Sequence, residues 1–178
     1  MKPRELATCG VFGAAALLLP TVFHAVHLGH VFMPMYLPLV ALAFFVRPTA
    51  AGLTAFVVPL LSGFATGMPP INPPVAYVMA VELSLMAMLI ALVQNRMSPD
   101  WLAMLSTKVK YVWVLFVLVA VLAIGRVMNV ALSYVFALAM GLPPKPIALL
   151  AFVSGWPGIL LMLVVIPQLV ILNERFRR

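Results

Sequence analysis

Residues 6–46 read LATCGVFGAAALLLPTVFHAVHLGHVFMPMYLPLVALAFFV and contain no Asp, Glu, Lys or Arg. Three similar charge-free stretches follow. Such a run is about twice the ~20 apolar residues that carry a helix across a bilayer. The whole chain is 65% hydrophobic and 8% charged. A soluble domain of 178 residues could not hide that much apolar surface from water. The solvent is therefore lipid, and the expected fold class is an all-α integral membrane protein forming one membrane domain over residues 1–178.

That length allows about six spans with short connections. Helices are expected at residues 5–29, 31–46, 49–66, 75–95, 110–140 and 147–173. The second is short for a ~30 Å hydrocarbon core, and Pro34 and Pro38 interrupt its start. The fifth is too long for a straight span, so it is expected to tilt, bend or project. Gly13 to Ala16 lie inside a longer apolar run, and no signal peptide is expected there. The single Cys9 excludes an intramolecular disulfide.

The charges bear on this parsing. A net charge of +7 would suggest nucleic acid in a soluble protein; here it reads as basic loops that set orientation, with no nucleic-acid partner. With six spans, one face holds Lys2, Arg4, Arg47, Arg96, Lys108, Lys110, Arg175, Arg177 and Arg178. The other holds Lys145, and Arg126 falls inside the fifth span. Both termini are thus expected in the cytoplasm, in the cell membrane. The Pro-rich segments 67–74 and 141–146 and the segment 30–35 then lie outside. Stiff loops of this kind would cover a cavity between helices.

Few residues carry chemistry. His24, His27 and His30 recur at spacings of three, within an arc of ~120° on a helix. Met33 and Met35 follow. Imidazole and thioether together suit a soft or borderline metal, or haem. The plainer reading is a polar cavity wall that hydrogen-bonds an organic ligand, because the spacing matches no zinc-protease pattern and no carboxylate or Cys sits beside it. Glu82 is the acid expected within a span, where cost directs it to the bundle interior. It either binds a substrate or pairs with Arg126. Arg126 offers a planar fork of donors, Gly125 beside it permits close helix approach, and Asn129 lies on nearly the same face. Asn72, in the Pro-rich loop, reaches a ligand from above. Ala7, Gly10, Gly13 and Ala14 make a small-residue face on the first helix, suited to close packing within the chain or to a membrane partner.

There is no nucleotide-binding motif and no Ser–His–Asp set, so ATP hydrolysis is not expected of this chain. A lone Glu is thin for a proton pump, and no internal repeat marks a self-sufficient secondary transporter.

The pieces resemble a family. Phe32-Met33-Pro34-Met35-Tyr36-Leu37-Pro38-Leu39, then Arg47-Pro48, Gly52, Pro59-Leu60-Leu61-Ser62 and Met68-Pro69-Pro70 follow in order. Met79 to Glu82, Gly125-Arg126, Gly141-Leu142-Pro143, Lys145-Pro146, Gly155-Trp156-Pro157-Gly158-Ile159 and Ile166-Pro167 complete the series before a basic tail. Together they resemble the substrate-binding S components of energy-coupling factor (ECF) type ABC transporters. The resemblance implies a six-helix, non-catalytic subunit. It would capture a vitamin-like micronutrient at the external face and work with a transmembrane coupling subunit and two cytosolic ATPases. It also implies a docking face on the first helix, often Ala-x-x-x-Ala, for which Gly10-x-x-x-Ala14 is the nearest equivalent. The family's substrates include riboflavin, thiamine, biotin, folate, pantothenate, cobalamin and, in one branch, nickel or cobalt. The Met-His start usual in that metal branch is missing here.

The expected substrate ligands are His27, His30, Asn72, Glu82, Arg126 and Asn129, with no resident cofactor. The alternative is uptake of a transition metal, haem or metallocofactor through His24, His27 and His30. A third class, a small membrane enzyme or assembly factor, lacks any evident nucleophile–base or metal–carboxylate set.

Overall fold

The computed structural model describes residues 2–25, 29–71, 75–97 and 107–176, without the side chains of residues 30, 31, 97, 150 and 174–176. Every element among them is a helix: α1 (Pro3–Ala25), α2 (Gly29–Phe32), α3 (Tyr36–Leu42), α4 (Pro48–Thr66), α5 (Val75–Met97), α6 (Thr107–Ala139), α7 (Pro144–Val153) and α8 (Trp156–Phe176). Helices satisfy their own backbone polar groups, as lipid demands. Five helical stretches are long and apolar enough to cross a membrane: Pro3–Ala25, Pro48–Thr66, Val75–Arg96, Thr107–Ala139 and Pro144–Asn173. The chain is thus a multi-pass helical bundle by length and composition.

Two expected spans differ in form. Residues 31–46 do not make one helix. Met33 precedes Pro34, which disfavours the helical region, and it takes a left-handed φ of 45°. The chain therefore breaks into α2 and α3, neither long enough to cross alone. The segment nevertheless runs the length of α1. Phe32 packs on Phe23, Phe45 stacks on Phe12 at 5.5 Å, and the Arg47 backbone N–H donates to Glu5 Oε1 at 2.9 Å. Residues 29–47 thus return antiparallel along α1 to its starting end. The span expected at 147–173 is also broken, between α7 and α8, where Gly155 has φ 78°. The expected 110–140 helix is a continuous α6 of 33 residues, about 50 Å long at 1.5 Å per residue.

The packing partners are consecutive and antiparallel. Gly52 faces Met88 while Gly63 faces Ala76, which sets α4 against α5. Gly125 faces Met86 and Asn129 bonds Glu82, which sets α6 against α5. Small residues at these contacts let backbones approach, the main device for helix association in lipid. The short α3 is apolar all round and central: Leu39, Val40, Ala41 and Leu42 have no exposed surface. The long helices turn apolar side chains outward instead, with Val127 72% and Phe64 70% exposed, as lipid-facing helices do.

One end of the bundle gathers Lys2, Arg4, Glu5, Arg47, Asn95 and Asn173 around a single depression. Glu5 caps α4 there, placing a carboxylate at that helix's positive end. The opposite end gathers segments 29–36, 68–70 and 140–147.

Candidate functional site

At that opposite end lies a half-open cavity of about 540 Å³, within the ~300–1,000 Å³ usual for small-molecule sites. Its loops are fixed by local chemistry. Gly67, at φ 73°, ends α4 with its N–H on Gly63 O at 3.0 Å, a left-handed cap that glycine adopts at little cost. The Ser62 hydroxyl donates to Met68 O at 2.6 Å, and the Thr66 hydroxyl donates to Ser62 O at 2.8 Å while accepting from Met68 N–H at 3.3 Å. Ala76 N–H donates to Pro70 O at 3.1 Å. Pro69 and Pro70 carry no N–H that would need an acceptor. Gly141 ends α6 in the same manner, with Leu142 N–H on Ala137 O at 2.9 Å.

The walls come from six helices and the loops between them. α1 gives Pro20 and His24, and the α2–α3 segment gives Gly29 and Met33 to Tyr36. The 68–70 loop and α5 give Met68, Pro69, Pro70, Val75, Val78 and Met79. α6 gives Asn129, Ser133, Phe136 and Ala137, and Met140 follows directly at its end, one stripe at helical spacing. Leu142, Ile147, Ala151 and Ser154 close the side. The ring of His24 lies where a Gly29 side chain would start.

The floor holds the one buried acid among the described residues. Glu82 is 4% exposed. Its Oε2 accepts from the Tyr36 hydroxyl at 2.7 Å and from Asn129 Nδ2 at 2.6 Å. Three elements, α3, α5 and α6, thus meet on one carboxylate oxygen. Tyr36 and Asn129 also line the cavity, whereas Glu82 lies beneath them on a small void of about 20 Å³ shared with Arg126.

Arg126 makes no ion pair with Glu82. Its Nη1 donates to Ala151 O at 2.8 Å, and its guanidinium lies 5.8 Å from the Trp156 ring centroid. It thereby holds the last turn of α7, a favourable place for a cation. Trp156 Nε1 donates to Phe152 O at 3.1 Å across the same break. Arg126→Met should lower stability by about 1–3 kcal/mol, since it leaves a carbonyl without its charged donor. Thermal unfolding in detergent checks this, and Arg126→Lys should recover only part because a point charge cannot replace the planar fork.

Of the expected ligands, Asn129 lines the cavity and Glu82 and Arg126 lie under or beside it. His27 and Asn72 fall outside the described residues, as does the side chain of His30. Among the described residues no three His, Cys, Asp or Glu side chains gather as a metal site. On α1 the small-residue face divides. Gly13 packs on Val58 and Thr54 of α4, while Ala7, Gly10 and Ala14 are exposed beside an apolar α1–α4 groove. Ser133, Phe136 and Met140 were legible as cavity residues from their spacing of four, seven and eleven after Asn129. Tyr36 carried no such signal, since its role depends on the break at Met33.

Compared with known proteins, the chain matches no family model, no curated protein and no solved structure.

Proposed function

We propose that the chain is the substrate-capture subunit of an ECF-type ABC importer. It would be a six-crossing membrane protein with both termini cytoplasmic, the 29–47 return counting as the second crossing. The observation that carries this reading is the half-open cavity of about 540 Å³ at the end of the bundle opposite Lys2, Arg47 and Asn173. The basic end suits the cytoplasm and puts the cavity outside. Asn129 and Tyr36 touch the micronutrient there. Glu82 holds both in place, and Arg126 fixes the α7–α8 turn that closes the side. His27, His30 and Asn72, the remaining expected ligands, are close in sequence to the wall residues His24, Gly29 and Pro70. The exposed Ala7, Gly10 and Ala14 serve the transmembrane coupling subunit, behind which two cytosolic ATPases supply the energy.

A second reading follows from the wall itself. His24, Met33 and Met35 line the same cavity as Met68, Met79 and Met140. An imidazole with thioethers is a soft-metal donor set, which suits a transition metal or metallocofactor as cargo.

One preparation tests both. The chain is expressed in its native host, purified in mild detergent, and assayed for copurifying proteins and for metal. The first reading expects a coupling subunit and two ATPases, lost when Gly10 and Ala14 are both replaced by Leu. A solitary protein under conditions that preserve a known ABC complex would overturn it. The second expects stoichiometric metal, lost on replacing the three histidines.

A further inference from the structure

We infer, resting on the capture reading above, that the cargo is an uncharged ring compound that brings N–H or O–H donors to the cavity floor and carries neither a carboxylate nor a phosphate.

The argument is a donor and acceptor count. A hydroxyl has one proton to give, and Tyr36 gives it to Glu82 Oε2; what remains on Tyr36 Oη is acceptor capacity. A carboxylate oxygen can only accept from Asn129, so the amide nitrogen faces Glu82. Asn129 Oδ1 then remains as an acceptor for a ligand, beside the one amide N–H not given to Glu82, so with Tyr36 Oη the floor presents more acceptors than donors. Glu82 acts as a positioning residue, setting both neighbours so that the floor offers oxygen lone pairs. A compound with N–H or O–H groups on one edge satisfies them. One presenting only acceptors leaves them unpaired, which is the strongest kind of discrimination a polar pocket makes.

Charge is the second part. Among the described residues no Lys, Arg, Asp or Glu lines the cavity. Arg126 is turned to Ala151 and Trp156, and Lys145 is exposed and off the lining. The polar side chains on the walls are the His24 imidazole and the Ser133 and Ser154 hydroxyls; an anion would be stripped of water among thioethers, prolines and aliphatic groups with no Lys or Arg to receive it. A cation fares no better, because Glu82 is already hydrogen-bonded by two donors and shares its void with Arg126.

The walls supply the third part. Met33, Met35, Met68, Met79 and Met140 surround the space together with Phe136. Thioethers are polarisable, adapt to shape and make favourable contacts with aromatic rings. Such walls suit a flat ring system held by its faces.

The test uses the purified chain in nanodiscs, with a filtrate of yeast extract as the probe. Protein is incubated, passed through size exclusion, denatured, and the released compounds are identified by mass spectrometry in both ion modes against empty nanodiscs. A retained compound that is uncharged at pH 7, contains a ring and has donors on one edge is the expected result. A retained carboxylate, phosphate, quaternary amine or metal complex overturns the inference while leaving the capture reading intact. Nothing retained above empty nanodiscs, from freshly reconstituted monodisperse protein, counts against the capture reading and takes the inference with it. Asn129→Leu should reduce the retained amount at least tenfold. Tyr36→Phe, which removes one acceptor without changing volume, gives the same readout if Asn129→Leu does not fold. Retention unchanged in a folded variant overturns the floor assignment.

Discussion

Glu82→Ala is expected to lower the unfolding free energy by about 2–6 kcal/mol, the cost of leaving two buried neutral donors without their acceptor. Glu82 Oε2 is where the Tyr36 hydroxyl and the Asn129 amide both end. Removing it leaves two donors in a buried, apolar floor, each costing about 1–3 kcal/mol unpaired. It also opens space beneath the cavity beside Met86 and Met162. Glu82→Gln keeps an acceptor oxygen at the same reach and should cost less than half as much. Glu82→Met removes the acceptor but fills the volume, so it separates the unpaired donors from the lost packing. The measurement is thermal or denaturant unfolding of the three variants in one detergent. Equal stability of the Ala and Gln variants would show that the carboxylate contributes no hydrogen bonding there. Ligand retention should fall in parallel, because Tyr36 and Asn129 lose the group that orients them.

The same cluster shows what a sequence could and could not disclose. Glu82 was legible as an interior residue on cost alone, since an ionisable group in lipid must face a polar partner. Asn129 and the stripe after it follow from helical spacing. The partner was not legible. An Arg in the next span is the natural candidate for an acid, yet Arg126 takes the open end of α7. The reason is local: α7 stops at Val153 and exposes carbonyls within reach, and a helix C-terminus competes for a cation. That stop rests on Ser154-Gly155, a short break inside an otherwise continuous apolar run, where hydropathy gives no warning. Tyr36 took the place expected of Arg126 because Met33 and Pro34 end α2 and start the chain in a new direction. Although the expected second helix is not continuous, the segment still brings Arg47 back to Glu5 at the start of α1. Charge bias reports where the chain emerges, and the conformation between those points is set by prolines and glycines.

Gly158→Ala is expected to cost about 2–3 kcal/mol, the upper part of the range for overpacking a well-packed contact. A Cβ at Gly158 would meet the carbonyl group of Phe32. That neighbour is backbone, so it cannot rotate away as a side chain would. Contrast Gly125, where a Cβ would meet the Met86 side chain; a thioether can change rotamer, and Gly125→Ala should cost less. Gly10 meets nothing within 4 Å, and Gly10→Ala should be neutral or slightly stabilising, because it reduces the freedom of the unfolded chain. The three alanine variants therefore rank Gly158, Gly125, Gly10 in falling cost, read by thermal unfolding in one detergent. A Gly158→Ala protein as stable as the parent would mean that α2 and α8 do not touch as described. The consequence reaches the cavity, since Met33 and Met35 follow directly from Phe32. Pushing α2 off α8 moves the Met33–Tyr36 wall, and with it the hydroxyl that Glu82 holds. Ligand retention should fall in Gly158→Ala and stay at the parental level in Gly10→Ala, although both add one methyl group and only the first lies near the cavity.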